Sequence, residues 1–163
     1  MFKIRTLAAT VALSAFVIAC SGDADPVAEE KTAETNVAPD VPAGAPAADD
    51  VSTLDGSVLA NFTGDAAAGK TVFTQCRTCH VTDAGVNKTG PSLAAIVGSK
   101  SGSVAGFNYS PANSAAGVTW SKEKLFQFLE KPQRVMPKTK MIFIGISDPQ
   151  KRANVIAYLE NPS

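Results

Sequence analysis

The chain has 163 residues, is 45% hydrophobic and 7% aromatic, and balances 15 basic against 15 acidic side chains. A balanced charge gives no general pull towards nucleic acid, and the length accommodates one small domain rather than two. Composition changes sharply near residue 60, leaving a foldable part of about 100 residues whose apolar core is modest unless a large buried group enlarges it.

In chain order, Met1-Phe2-Lys3-Ile4-Arg5 precedes an uncharged run over 6–19 and then Cys20-Ser21-Gly22. Residues 1–19 read as a bacterial export signal. The run is shorter than the roughly 20 residues that a helix needs to cross a bilayer, which makes an uncleaved anchor the weaker reading. Val17-Ile18-Ala19-Cys20 resembles a lipobox, so the expectation is acylation of Cys20 and a mature chain that begins there, held at the periplasmic side of a bacterial membrane. Simple cleavage after a small residue is the alternative.

Residues 20–61 are rich in Ala and Pro, and between 21 and 60 nine acids (23, 25, 29, 30, 34, 40, 49, 50, 55) face one base, Lys31. This composition predicts a disordered tether, with a reach of roughly 35 Å as a flexible coil. From residue 62 to 163 the balance reverses, with twelve bases against six acids. The zero net charge thus hides a negative tether and a positive domain, which suits either plain solubility or steering towards an acidic partner.

Within the domain, a helix is predicted over 66–76 with Asp65 as N-cap and Gly69, Val72 and Phe73 on one face. Another begins near Ser121, spaces Leu125, Phe126, Phe128 and Leu129 helically, and must stop before Pro132. The last takes Asp148 as cap and Pro149 as its first residue, and presents Ile156, Tyr158 and Leu159. Gly90, Pro91, Gly98, Gly102, Gly106 and Gly117 break the middle into loops with at most one short helix at 93–97. No strand is predicted. The fold class is all-α.

Cys76-Arg77-Thr78-Cys79-His80 carries the chemistry. Two thiols a helical turn apart can add across the two vinyl groups of a porphyrin, and the next imidazole can take the iron, so the motif reads as covalent haem attachment. A zinc site needs about four ligands, and only Cys76, Cys79 and His80 are soft or imidazole donors here. A thioredoxin-like pair needs a βαβ setting that this helical, loop-rich chain lacks. A disulfide gives no reason for His80. Since His80 is the only histidine, a second axial ligand must be methionine, lysine, a small molecule or nothing, and outside the export signal the methionines are Met136 and Met141.

These residues, with NKTGPSL at 87–93, GFNYS at 106–110, Asn113, Trp120, LEKP at 129–132, MPKTKMIFIG at 136–145 and AYL at 157–159, resemble the class I cytochromes c, mitochondrial-like subgroup, over about 63–160. The resemblance implies a small all-α cytochrome c fold of three to five helices and long loops around one covalent haem c, in a membrane-tethered bacterial form. It implies Met141 as distal ligand opposite His80, with Met136 a packing residue, and Pro91 as acceptor for the His80 ring N–H. Tyr109 and Trp120 resemble donors to a haem propionate, Asn113 and Thr139 resemble polar residues around a buried water, and Phe143 resembles the aromatic near the exposed haem edge. Gly69, Phe73 and Tyr158 match a close crossing of the terminal helices. Two departures stand out: Ser99 where many relatives carry arginine, and Phe128 where many carry tyrosine.

The implied function is monohaem electron transfer in a bacterial respiratory chain, from a cytochrome bc1 complex to a haem-copper terminal oxidase, by a monomer rather than an enzyme. Lys88, Lys138 and Lys140, with Lys70, would surround the haem edge and meet acidic partners. A haem peroxidase or ligand-reactive haem protein is the alternative, and needs an open iron position that Met141 would close.

Overall fold

A computed structural model describes residues 44–162. The export signal, Cys20 and the first part of the expected tether lie outside the described residues. Five α-helices follow one 3-10 turn, Leu59–Asn61: α1 (Ala66–Phe73), α2 (Pro111–Ser114), α3 (Lys122–Glu130), α4 (Pro132–Val135) and α5 (Pro149–Glu160). Among the described residues there is no strand, only an isolated antiparallel bridge between Lys100 and Thr119.

The three long helices start where the caps predict. Asp65 accepts from the amides of Ala67 and Ala68, Ser121 from Lys124, and Asp148 from Gln150 and Lys151, each satisfying donors that a first helical turn leaves open. Pro132 ends α3 and opens the single turn of α4. Ser110 with Pro111 opens α2 in the same way. Residues 93–97 form turns rather than a helix, and Ala95 takes a positive φ of 49°, which interrupts a helical ladder.

Helices α1 and α5 cross closely. A Cβ at Gly69 would fall on the carbonyl oxygen of Asn154, so glycine is what lets the backbones meet. The Phe73 and Tyr158 rings pack across the crossing with centroids 5.2 Å apart. Helix α3 lies against α5, and its buried Leu125, Phe126 and Leu129 join Ile156, Leu159, Trp120 and Met136 in one core. No helix among the described residues is long and apolar enough to cross a membrane.

The expected tether does not extend to residue 61. Residues 45–61 instead lie as a strap along α3, α4 and α5, because those helices present buried polar side chains that need partners. Lys124 Nζ donates to the carbonyls of Ala47 and Asp50 at 3.0 and 2.7 Å, and Gln127 Nε2 and Arg134 Nη1 both donate to Ser52 O at 2.9 Å. The Glu130 carboxylate accepts from the amides of Leu54 and Asp55 at 2.7 and 2.9 Å. Arg152, fully buried, donates to Asp55 Oδ2 and Ser57 Oγ at 2.7 Å each and lies over the Phe126 ring, 4.5 Å from its centroid. A composition poor in aromatics predicts disorder only where such hydrogen bonds are not on offer.

Candidate functional site

The chain leaves α1 as tightening turns that carry the attachment motif. Cys76 N donates to Phe73 O at 2.8 Å and His80 N to Cys76 O at 2.9 Å, so both cysteines and the histidine sit on a fixed extension of the helix. The next loop returns against it, with Gly90 N donating to Cys79 O at 2.8 Å and Leu93 N to Val81 O at 2.8 Å. Gly90 is buried with its Cα against the imidazole, where any Cβ would strike the His80 ring.

His80 Nδ1 lies 2.7 Å from Pro91 O. A carbonyl can only accept, so Nδ1 holds the proton and Nε2 keeps its lone pair. Burial lowers the imidazole below its ordinary value, against a smaller opposite pull from the Pro91 carbonyl, and the ring is neutral at pH 7. That is the form in which histidine binds a metal. Burial, and then the neighbouring Cys79, pushes the Cys76 thiol up to about 11, and neither cysteine is in a disulfide. Among the described residues no three His, Cys, Asp or Glu side chains converge as a cluster able to hold a bare metal ion.

Met136 and Met141 differ in surroundings. Met136 is 1% exposed and part of the core, whereas Met141 is only partly buried, on a loop outside it. That loop is pinned locally: Thr139 N donates to Met136 O at 3.1 Å, Met141 N to Thr139 Oγ1 at 3.2 Å, and Gln133 Nε2 to Met141 O at 3.1 Å. Beyond it the chain alternates, with Ile142 and Ile144 exposed and Phe143 turned towards the core. Gly145, at φ 111°, passes so close to α3 that a Cβ would meet Glu130 O.

Trp120 is buried and meets Phe128 edge-on at 4.7 Å, and its backbone exchanges hydrogen bonds with Gly98 and Ser99 at 2.8 Å. The Ser99 hydroxyl is spent on Ile96 O at 2.8 Å. Tyr109 packs edge-on against Phe107 at 4.8 Å, and burial raises its phenol above the ordinary value. Asn113 Oδ1 is buried without a hydrogen-bond partner. Lys88 Nζ donates to Arg77 O within the motif, Lys140 Nζ donates to Asn108 O, and exposed Lys138 takes a left-handed φ of 62°.

Cys76, Leu93, Val97, Phe128 and Phe143 are partly buried side chains packed against the one core. An apolar rim left half open, an imidazole with a free Nε2, two unpaired thiols and an orphaned Asn113 oxygen fit a flat, mostly apolar ring carrying iron and polar substituents. Sequence reading missed Gly90 and Gln133. Gly90 was legible only as a chain breaker, and the Gln133 contact needs the loop to fold back on α4.

A sequence model of the family described as Cytochrome c matches residues 66–163. The chain is 49% identical over 98 residues to cytochrome c type-1 of Ascaris suum, covering 60% of this chain and 88% of that protein. It is 50% identical over 98 residues to cytochrome c2 of Rhodopila globiformis, covering 60% of this chain and 92% of that protein. Among solved structures it is similar to cytochrome cH from Methylobacterium extorquens, with a TM-score of 0.57 and 44% identity over 60% of this chain and 98% of that one. The helical order, the attachment motif on the extension of α1 and these likenesses converge: the chain belongs to the cytochrome c family, binds one covalent haem c, and is an electron carrier rather than an enzyme.

Proposed function

We propose that this cytochrome carries single electrons in a bacterial respiratory chain, from a cytochrome bc1 complex to a haem-copper oxidase, with His80 and Met141 as the residues that would hold the haem iron. The observation that carries the ligand assignment is the neutral His80 ring held by Pro91 at 2.7 Å, with Met141 the one methionine among the described residues that lies outside the core. Haem c, when bound, supplies an iron that changes between ferric and ferrous with no substrate transformed. The Pro91 carbonyl fixes the ring's orientation and raises its basicity. Leu93, Phe128 and Phe143 surround the site with apolar surface, which disfavours the more charged oxidised state. Trp120 and Tyr109 would donate to propionate oxygens, and Asn113 and Thr139 would hold a water.

Lys88, Lys138 and Lys140 form the docking face, making brief, salt-sensitive contacts with acidic partners. Cys20 carries the lipid that holds the protein to the membrane, on the periplasmic side. The support for this lies in the export signal and the lipobox-like Val17-Ile18-Ala19-Cys20.

The test is spectroscopic and by mass. The oxidised holoprotein should show a methionine-to-iron charge-transfer band that Met141→Ala abolishes, and only the variant should bind carbon monoxide tightly when reduced. Tight binding by the unaltered protein would favour a ligand-reactive haem protein instead. Intact mass should show one haem and a diacylglyceryl group on a chain that starts at Cys20; a start elsewhere without lipid would remove the anchor.

A further inference from the structure

The strap lies outside the part of the chain that the family match covers, since that match begins at residue 66. It nevertheless reaches both ends of the segment carrying Met141. At the entry, Ala45 and Pro46 line a small apolar recess with Val135, Met136 and Pro137. Beside them, two neighbouring side chains of α4 point to different places: Arg134 Nη1 donates to Ser52 O of the strap at 2.9 Å, and Gln133 Nε2 donates to Met141 O at 3.1 Å. The turn that ties Met141 to the strap is thus a single one.

At the exit, Arg152 joins the two. One guanidinium nitrogen, Nη2, binds Asp55 and Ser57 of the strap, while Nη1 donates to Ile146 O at 3.0 Å and Ser147 O at 3.3 Å. Glu130 works in parallel, since its carboxylate holds the Leu54 and Asp55 amides while its own carbonyl lies under Gly145. Ile146 N donates to Leu129 O at 2.7 Å, which completes the clamp. Between these fixed ends, residues 137–144 are mostly exposed or half-buried and have little core of their own.

We infer that the strap is a positioning element for Met141: by fixing α4 at one end of segment 136–147 and Arg152 with Glu130 at the other, it keeps the thioether at its place in the site. This rests on the reading of Met141 as axial ligand. Anything that competes for that position must first wait for the segment to open, so its apparent affinity scales with the open fraction. Loosening the strap raises that fraction.

The experiment titrates the oxidised full-length holoprotein with imidazole and follows loss of the charge-transfer band. Asp55→Ala removes a tie at the exit end, and the double variant Asp55→Ala/Arg134→Met removes one at each end. Imidazole should bind about tenfold more tightly to the double variant, the size of coupling expected within one contact network. Asp65→Ala, which weakens the α1 cap and leaves the strap alone, should lower the melting temperature without changing imidazole affinity. Hydrogen exchange at the Leu54 and Asp55 amides reports whether the strap is released. Imidazole affinity in the double variant within about twofold of the unaltered protein would overturn the proposal and leave the strap a merely structural element. If Met141→Ala keeps the band, the ligand reading fails instead.

Discussion

Two sides of this small domain close in opposite ways. On the strap side, the buried charges of α3 and α5 meet protein partners: Lys124 finds two carbonyls, and Arg152 finds Asp55, Ser57, two carbonyls and the Phe126 face. Among the described buried side-chain atoms there, only Gln127 Oε1 and Arg152 Nε lack a hydrogen bond. On the motif side, the His80 ring keeps a lone pair on Nε2, Cys76 and Cys79 are outside any disulfide, and Leu93, Phe128 and Phe143 are only partly buried. One side is finished by the chain and the other by its cofactor. In a small domain with few aromatics, a buried group adds apolar surface that the side chains do not supply.

The largest effect should come from the motif side. In Cys76→Ser/Cys79→Ser, covalent haem should vanish from the intact mass, and the cooperative unfolding transition should go with it. A cooperative, fully helical double variant would show that the protein closes that side unaided. Next is Arg152→Ala, which strips the strap side of its central cation and of packing on Phe126. The ion pair of Arg152 with Glu130 at 3.7 Å has both side chains buried, and breaking such a pair costs about 3–5 kcal/mol, read as a fall in the denaturation midpoint at unchanged slope.

Gly69→Ala probes the crossing that both sides share. Because the obstacle is the Asn154 backbone rather than a movable side chain, the cost should reach the upper part of the usual overpacking range of about 1–3 kcal/mol.

A smaller effect separates the strap by pH. Burial would raise the Asp55 carboxyl, but hydrogen bonds from Ser57 and Arg152 outweigh it and hold the group well below the usual carboxylate range. Its contribution is therefore fully present above the unfolded value of about 3.9 and is lost as pH falls through the lower folded value. With the side chain 34% exposed, screening limits that contribution to about 1 kcal/mol. Asp55→Asn should remove this acid-side dependence, and an identical pH profile in the variant would deny the pairing its role. The least change in stability, under about 0.5 kcal/mol, belongs to Lys138→Glu/Lys140→Glu, whose effect is on rate. Reduction of an acidic partner should slow about tenfold at low salt and recover as salt is added; rates indifferent to ionic strength would remove this face from docking.

Local signals made the frame readable. Asp65, Ser121 and Asp148 act as caps in the structure, Pro132 stops α3, and the motif of two cysteines and a histidine sits on the extension of α1. Other features misled for physical reasons. The acidic, Ala- and Pro-rich stretch looks unable to fold because nothing nearby in sequence offers its backbone a partner; those partners, Lys124, Gln127, Glu130, Arg134 and Arg152, come from helices 74 to 97 residues onward. In sequence, Lys124 and Arg152 count only towards the positive charge of the domain, whereas in the fold both are buried and bonded to the strap.

The sequence by itself determined the chemistry and the starts of α1, α3 and α5, because thiol spacing, caps and prolines act over a few residues; it did not determine the end of α1, which stops at Phe73 rather than 76. The tertiary structure decided which polar groups are buried, where Gly90 and Gly145 let backbones meet side chain and helix, and how far the domain extends towards its N-terminus. Those outcomes depend on hydrogen bonds closed across long stretches of chain, and a partner that far away leaves no local mark on either residue.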